Sequence, residues 1–264
     1  MSERKIGVVL SDVDGTQIIH GQRLPAEPVQ DAAHALRANG ISLLEVTSRP
    51  HALMRKLVEP LDLRDNLCTL DGGATVAHAD SGEVVWSQWL SAETTRAVVR
   101  SIGQLCANVH FDKASRQQLP EQVLAAVDSG ELAVANAPSV FAIFEADNGP
   151  TIVEALGALS GIKHTPIMNY EDHPSLRCIQ VVDSGVDKQY GIEQMLHHAQ
   201  LADQRRLVIG DGWNDFSLFA AAGPDGVKVA MRNAPDELKD LADWVAPSVE
   251  NYGFRYAMVR YGLI

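Results

Sequence analysis

The stretch Ile6-Gly-Val-Val-Leu-Ser-Asp-Val-Asp-Gly-Thr16 decides the fold, because an apolar run ends there in two carboxylates. The run predicts a short buried strand, and Asp12 and Asp14 follow it directly. Gly15 allows the chain to turn at this point. Calcium-binding loops and plain acidic turns use the same residue types, so this motif alone leaves the function open.

A second acidic motif follows another apolar run. Residues 207–209 predict a strand that ends in Gly210-Asp-Gly-Trp-Asn-Asp215. The apolar residues Phe216, Leu218 and Phe219 come next and predict a helix. A second strand therefore delivers acids at its end in the same way as the first.

Two polar side chains lie at element ends between these motifs. Thr47 closes the strand-like stretch 41–46, and Lys188 opens the helical stretch 188–199. Taken alone, Thr47 suits a helix N-cap and Lys188 an ordinary solvated position. In open α/β sheets, however, the ligand site lies at the carboxyl edge of the strands. One crevice is therefore expected to collect both residues together with the acids of the two motifs.

The spacing of apolar residues predicts alternating strands and helices. Residues 28–39 carry apolar side chains at helical spacing, and Gly40 is expected to end that helix. Pro50 is expected at the first position of the next helix. Alternation of this kind implies parallel strands joined by right-handed crossovers. The predicted fold class is therefore α/β, with a Rossmann-like parallel-sheet core.

The chain resembles the haloacid dehalogenase (HAD) superfamily, in its Cof-like, type IIB branch of phosphatases. Four motifs carry the resemblance, in the order that the family has: Asp12-Val-Asp-Gly-Thr16, Thr47, Lys188 and Gly210-Asp-Gly-Trp-Asn-Asp215. The run from Val227 to Leu238, Val-Lys-Val-Ala-Met-Arg-Asn-Ala-Pro-Asp-Glu-Leu, resembles the segment that follows the last motif in that branch.

Three positions depart from the pattern of the family. Gln17 stands where leucine is usual, Ser48 where glycine is usual before Arg49, and Asp71 where the branch commonly has asparagine. None of the three removes a catalytic group. Asp71 is expected to influence what the substrate pocket accepts.

The length of chain between the motifs predicts one large insertion. Only one helix and one strand fit between Thr16 and Thr47, whereas well over a hundred residues separate Thr47 from Lys188. We expect a catalytic core of residues 1–81 and 185–264 and an inserted α+β unit of residues 82–184. Predicted elements of the insert are strands at 83–88, 108–112, 139–145, 162–168 and 176–182, and helices at 91–106, 120–128 and 150–160. The resemblance implies that this insert is a C2-type cap that sets substrate specificity.

The resemblance also implies a role for each motif residue. Asp12 would be the nucleophile that forms an aspartyl-phosphate, and Asp14 would act as general acid and then as general base. Magnesium prefers oxygen ligands, which fits Asp12, the backbone carbonyl of Asp14 and Asp211, with Asp215 acting from behind these ligands. The residues expected to hold the phosphoryl group or the substrate are Thr47, Ser48, Arg49, Lys188 and Asn214. Arg49 could equally pair with a surface carboxylate.

Composition and charge limit the partners. The chain has 264 residues and a formal net charge of -12, which repels nucleic acid and anionic membranes over long range. No run approaches the roughly 20 apolar residues that span a bilayer, and the apolar run after the N-terminus is too short for a signal peptide. Cytoplasmic residence is expected, as a monomer or a small homo-oligomer. The three cysteines lack metal-site spacing and are expected to be buried and inert.

The function that the sequence predicts is hydrolysis of a small phosphorylated metabolite, most plausibly a sugar phosphate, by a magnesium-dependent phosphatase. One alternative is a phosphomutase of the phosphomannomutase type, which resembles this core and cap and uses the same aspartyl-phosphate. The other is a phosphate-binding regulatory module without turnover, which the complete set of Asp12, Asp14, Lys188 and Asp211 disfavours.

Overall fold

The computed structural model describes residues 5–110, 136–170 and 173–264 and divides into two compact units. The first unit comprises Met1–Trp86 and Asp187–Ile264, and the second comprises Ser87–Val186. The strands and helices in chain order are β1 (Ile6–Ser11), α1 (Glu27–Ala38), β2 (Ser42–Glu45), α2 (His51–Met54), β3 (Leu67–Leu70), β4 (Thr75–His78), β5 (Val84–Ser87), α3 (Ala92–Ile102), β6 (Asn108–His110), β7 (Val140–Glu145), α4 (Gly149–Gly157), β8 (Ile162–His164), β9 (Met168–Asn169), β10 (Leu176–Asp183), α5 (Lys188–His198), β11 (Arg205–Gly210), α6 (Phe216–Ala220), β12 (Val227–Met231), α7 (Asp236–Lys239), β13 (Trp244–Ala246) and α8 (Gly253–Arg260).

The first unit is built on a parallel sheet of five strands. Their order is β13-β12-β11-β1-β2, and every neighbouring pair runs parallel. Alternate residues of β1 are buried on opposite faces of the sheet. Val9 lies in one hydrophobic cluster and Val8 in the other. Because β2 and β11 flank β1 on its two sides, the strand order reverses at β1. That reversal is where open α/β sheets form their ligand crevice.

The predicted α/β class and Rossmann-like core are confirmed, and α1 shows why the sequence folds this way. Its buried residues are Val29, Ala32, Ala33 and Leu36, the apolar stripe of the predicted helix. Gly40 follows with a φ of +72°, a conformation that favours glycine. The prediction for Pro50 was wrong by one position, because Pro50 is the N-cap residue of α2 and the helix begins at His51.

A small antiparallel sheet, which the sequence did not predict, adds to the first unit. Its order is β3-β4-β5. The strand expected at 83–88 is β5. It was expected to belong to the insert, but it pairs with β4 in this sheet of the first unit. The physical reason is packing: Val85 and Trp86 lie against the hydrophobic cluster that contains Ile192, and the Trp86 ring meets the Tyr190 ring edge-on at 5.4 Å.

The second unit is an α+β arrangement. Its sheet has the order β6-β7-β10-β8, with antiparallel pairs, and β9 also pairs with β10. The helices α3 and α4 bury Val98 and Ile152 in the same cluster as the strand residues Phe144 and Ile179. The run expected as one strand at 162–168 forms two short strands, β8 and β9. The helix expected near 120–128 and the end of the strand expected at 108–112 lie outside the described residues.

Candidate active site

Asp12 and Asp14 leave the central strand at the carboxyl edge of the sheet. The backbone N–H of Asp12 donates to the carbonyl of Ile209 at 2.9 Å, which ties the loop to β11. Gly15 has a φ of +83°, and a side chain at this position would collide with the carboxylate of Asp211. The glycine therefore serves two purposes, the turn itself and the close approach of the two acidic loops.

Lys188 joins two of the acids. Its Nζ donates to Oδ1 of Asp12 at 2.5 Å and to Oδ1 of Asp215 at 2.6 Å, and the residue is only 1% exposed. The start of α5 that carries it packs tightly on the turn at Gly73, where a side chain would collide with the carbonyl of Asp187. The lysine expected to be solvated, if judged alone, is thus a buried cation between carboxylates.

The second acidic loop is held by hydrogen bonds of its own. Asp215 accepts through Oδ2 from the backbone N–H groups of Asp211 and Gly212, at 2.9 and 2.7 Å. Asp211 accepts from the hydroxyl of Thr16 at 2.9 Å and from Nδ2 of Asn233 at 3.0 Å. Both oxygens of Asp215 are therefore engaged by protein groups.

Burial, together with the crowding of acids, determines the electrostatics of this cluster. Burial, followed by the charge of Asp215, raises the pKa of Asp12 well above its ordinary value, although Lys188 opposes this shift. The same two causes raise the pKa of Asp211 to about 7. For Lys188, burial lowers the pKa, but the charges of Asp12 and Asp215 outweigh burial and leave the pKa raised.

The residues fit a divalent cation. Asp12, Asp211 and Asp215 each offer an oxygen, and these atoms lie within 4.8 Å of one another. Three carboxylates against the single ammonium of Lys188 leave an excess of two negative charges when all are ionised. A divalent cation carries that charge, and carboxylate oxygens are ligands that Mg²⁺ and Ca²⁺ prefer. The raised pKa values of Asp12 and Asp211 express the same deficit of positive charge.

Asp14 lies apart from the buried cluster and forms an ion pair. Arg49 donates from Nε and Nη2 to its two carboxyl oxygens, at 2.8 and 2.6 Å. The side chain of Asp14 is 41% exposed, compared with 15% for Arg49. Of the two alternatives for Arg49, the structure shows the pairing with a carboxylate, and that carboxylate is one of the predicted catalytic acids.

The remaining predicted residues lie in the same loops. Thr47 is buried, and its Oγ1 accepts from the backbone N–H of Arg49 at 3.1 Å, so it stabilises its own turn and does not cap α2. Ser48 and Asn214 are half-buried. The backbone carbonyl of Asn214 accepts from the hydroxyl of Ser217 at 3.0 Å.

Two residues at the site were missed from the sequence. Asn233 bridges three segments: Nδ2 donates to Asp211 and to the carbonyl of Gly15, and Oδ1 accepts from the backbone N–H of Val249. Its presence in the run 227–238, which resembles the family, was the available signal. His20 lies with Nε2 3.9 Å from Oδ2 of Asp211, and nothing in the pattern pointed to it.

The cysteines are free and buried, as expected. Burial raises the pKa of Cys106 to about 12 and that of Cys178 to about 11, so neither thiol is ionised at neutral pH. In the described part of the chain, no helix has the length and apolar composition needed to cross a membrane.

This sheet, with carboxylates and a buried lysine at its carboxyl edge, defines a class of α/β phosphate-processing enzymes. Residues 9–120 and 152–258 match the family model of haloacid dehalogenase-like hydrolases, and the chain belongs to that family, in its Cof-like branch. It is a phosphatase of the HAD type. The resemblance stated from the four motifs is thereby confirmed.

Relatives and a solved structure agree with this assignment. The chain is 27% identical to the HMP-PP phosphatase of Cronobacter sakazakii over 264 residues, covering 95% of this chain and 92% of the relative. It is 24% identical to a putative bifunctional phosphatase/peptidyl-prolyl cis-trans isomerase of Streptococcus pyogenes, covering 99% of this chain and 55% of that protein. This chain thus spans about half the length of the streptococcal relative. A solved HAD subclass IIB sugar phosphatase superposes with a TM-score of 0.75 at 20% identity, covering 97% of this chain and 99% of that one.

Proposed function

We propose that the chain is a magnesium-dependent phosphatase that hydrolyses a small phosphorylated metabolite through an aspartyl-phosphate on Asp12. The observation that carries the proposal is the buried arrangement of Asp12, Lys188, Asp211 and Asp215 at one edge of the sheet. Attack of an anion on a phosphate ester dianion needs positive charge around the phosphoryl oxygens. Lys188 supplies one such charge, next to the nucleophile.

The cation site would consist of side-chain oxygens of Asp12 and Asp211 together with the backbone carbonyl of Asp14. When bound, Mg²⁺ supplies charge that neutralises the phosphoryl oxygens and the crowded carboxylates. Asp215 stays outside this set, because its two oxygens already accept from Lys188 and from backbone N–H groups. Its role is to orient Lys188 and to hold the loop that carries Asp211.

The reaction proceeds in two displacements. In the first, a carboxylate oxygen of Asp12 attacks phosphorus, the bond from phosphorus to the ester oxygen breaks, and Asp14 gives its proton to the departing oxygen. In the second, Asp14 takes a proton from water, the water oxygen attacks phosphorus, and the bond to Asp12 breaks to release phosphate. General acid and base catalysis of this kind contributes about 10² to 10⁴ in rate.

Arg49 controls the availability of Asp14 in this scheme. Its two hydrogen bonds, at 2.8 and 2.6 Å, occupy both carboxyl oxygens of Asp14. A substrate phosphate offers Arg49 another anion with the same two-pronged geometry. Transfer of Arg49 from Asp14 to the phosphate would free Asp14 for proton transfer when substrate is present. Thr47, Ser48 and Asn214 would hold the other phosphoryl oxygens.

We propose a sugar phosphate as the substrate class and the unit Ser87–Val186 as the cap that selects it. Support comes from the α+β insert and from the fold shared with a sugar phosphatase. The Cronobacter relative, by its name, acts on HMP-PP, so a pyrimidine pyrophosphate belongs in any comparison of substrates. The excess of acidic residues, a net charge of -12, makes a nucleic-acid substrate unfavourable. Cytoplasmic residence stays a prediction.

The test is phosphate release from a panel of esters with magnesium present. The panel contains hexose phosphates, triose phosphates, nucleotides and a pyrimidine pyrophosphate, and kcat/KM is measured for each. We expect the highest kcat/KM for a sugar phosphate and a much lower kcat/KM for every nucleotide. Preference for the pyrimidine pyrophosphate would replace the substrate class, whereas no phosphate release from any ester would overturn the enzymatic function.

A further inference from the structure

Gln17 and Glu45 form a buried polar pair beside the proposed active site. The Nε2 atom of Gln17 donates to both carboxyl oxygens of Glu45 at 3.0 Å, and each residue is 1% exposed. Glu45 is an acid in the otherwise apolar end of β2. Gln17 stands where leucine is usual in the family. In this chain the position therefore carries a polar side chain, which contacts Glu45.

The pair connects the two loops that carry the site. Gln17 lies in the turn after β1, where its backbone N–H donates to the carbonyl of Val13 at 2.9 Å. Glu45 is the last residue of β2, two residues before Thr47, and it is in register with Ser11 of β1. A hydrogen bond between the two side chains therefore fixes the turn that carries Asp14 relative to the loop that carries Thr47.

The hydrogen bonds of the pair accommodate a protonated Glu45. Oε1 of Gln17 is buried and has no hydrogen-bond partner within the described residues. A carboxylate only accepts hydrogen bonds, whereas a protonated carboxyl group can also donate one. Because the orientation of an amide group is interchangeable, the atom of Gln17 that lies 3.0 Å from both carboxyl oxygens can be its Oε1, to which a protonated Glu45 would donate.

The surroundings of Glu45 favour its protonated form. Burial, the largest effect, raises its pKa to about 8, the hydrogen bond from Gln17 and the charge of Arg49 lower it, and the charge of Asp12 raises it. From β3, Cys68 faces the same carboxyl, and burial keeps its thiol protonated. Isolated buried carboxylates cost several kcal/mol, and here the hydrogen-bonded partner is an uncharged amide.

We propose that Gln17 and Glu45 are positioning residues, a neutral amide and acid pair that holds the loop of Asp12 and Asp14 in register with Thr47. The inference rests on the proposed phosphatase function, since it assigns both loops to one reaction. Removal of one member leaves the other buried without its partner, which displaces the catalytic turn. Removal of both leaves no unsatisfied group.

The test uses four variants: Gln17→Leu, Glu45→Leu, the double variant with both changes, and Glu45→Gln. The measurement is kcat and KM for p-nitrophenyl phosphate with magnesium. Each leucine single variant should lose about tenfold or more in kcat while KM changes by less than about threefold. The double variant should regain most of this loss. Glu45→Gln keeps a hydrogen bond between two uncharged side chains, and its kcat should stay within about threefold of the parent.

The pH profile separates positioning from simple loss of fold. In the parent protein, ionisation of Glu45 above about pH 8 adds a buried negative charge near Asp12, so kcat should fall there. Glu45→Gln has no proton to lose and should keep its kcat through that range. A purely structural pair would leave the alkaline limbs of the two proteins identical.

Three results would overturn the inference: a double variant no better than the worse single variant, kcat losses that match the loss of folded protein, or an alkaline limb unchanged in Glu45→Gln. Absence of turnover in the parent would count against the proposed function instead. The pair would then be judged by thermal unfolding alone, where the parent should lose stability relative to Glu45→Gln as the pH rises from 5 to 8. Identical pH dependence in both proteins would reject the neutral pair.

Discussion

Two groups of buried acids lie near the carboxyl ends of neighbouring strands, and the chain compensates them in opposite ways. Asp12 and Asp215 share the ammonium of Lys188 and still leave an excess of negative charge, which calls for a cation. Among the residues that the structure describes, Glu45 has only the amide of Gln17 as a hydrogen-bonded partner, and it is compensated by keeping its proton. The charged group suits phosphoryl transfer, whereas the neutral pair suits fixed geometry.

The largest effect should follow from Asp12→Asn, because no other group at the site can accept the phosphoryl. We expect kcat to fall by about 10⁴ or more, while circular dichroism shows an intact fold. Asp236→Asn is the matched control, since Asp236 is an exposed acid that pairs with Lys239. Substantial turnover in a clean Asp12→Asn preparation would remove the covalent mechanism.

Removal of divalent cations should have an effect of similar size. We expect a chelator to stop phosphate release and magnesium to restore it, because the carboxylates otherwise repel the phosphate dianion. Calcium should inhibit, since it takes more ligands at longer distances and could engage both oxygens of Asp12. The measurement is the initial rate against added metal. Full activity in excess chelator would reject the cation site.

Lys188→Met tests how far the buried lysine compensates Asp12 and Asp215, with the free energy of unfolding as the measure. Loss of one partner from a buried ion pair costs about 3 to 5 kcal/mol in the free energy of unfolding, because the remaining charges stay buried. Magnesium should restore part of that loss by compensating Asp12 and Asp215. Denaturant unfolding with and without magnesium measures both quantities. An unchanged unfolding free energy would show that the lysine carries little of the compensation.

The neutral pair of Gln17 and Glu45 predicts an effect on stability that depends on pH. The pKa of Glu45 is raised from 4.5 to about 8, so its contribution to stability is present below pH 4.5 and is lost as the pH rises toward 8. The free energy of unfolding of the parent should fall relative to Glu45→Gln by up to about 1.4 kcal/mol per pH unit in this window. Equal slopes for the two proteins would show that Glu45 ionises as freely in the folded chain as in the unfolded one.

The sequence predicted the charged group well because strand ends gather at one edge of a parallel sheet. Asp12, Lys188 and Asp211 each follow or begin an apolar element, so their meeting follows from topology. The Rossmann-like core followed from the same alternation of elements. The four family motifs gave the expected order of these residues along the chain.

Other parts of the molecule depend on tertiary contacts that periodicity does not encode. Gln17 and Glu45 are 28 positions apart, and only the folded turn brings them together. A lone acid in the apolar end of β2 was the one available signal. The strands β3 and β4, which pair with each other in the small antiparallel sheet, were not predicted. Asn233 reaches Asp211 by the packing of loops alone.

The central claim is that Asp12 takes the phosphoryl group covalently before water does. The most direct measurement is the stereochemical course at phosphorus, with a substrate ester made chiral by oxygen isotopes. Two in-line displacements, first by Asp12 and then by water, predict overall retention of configuration. Inversion would show a single direct attack by water and would contradict the account, whatever the metal dependence.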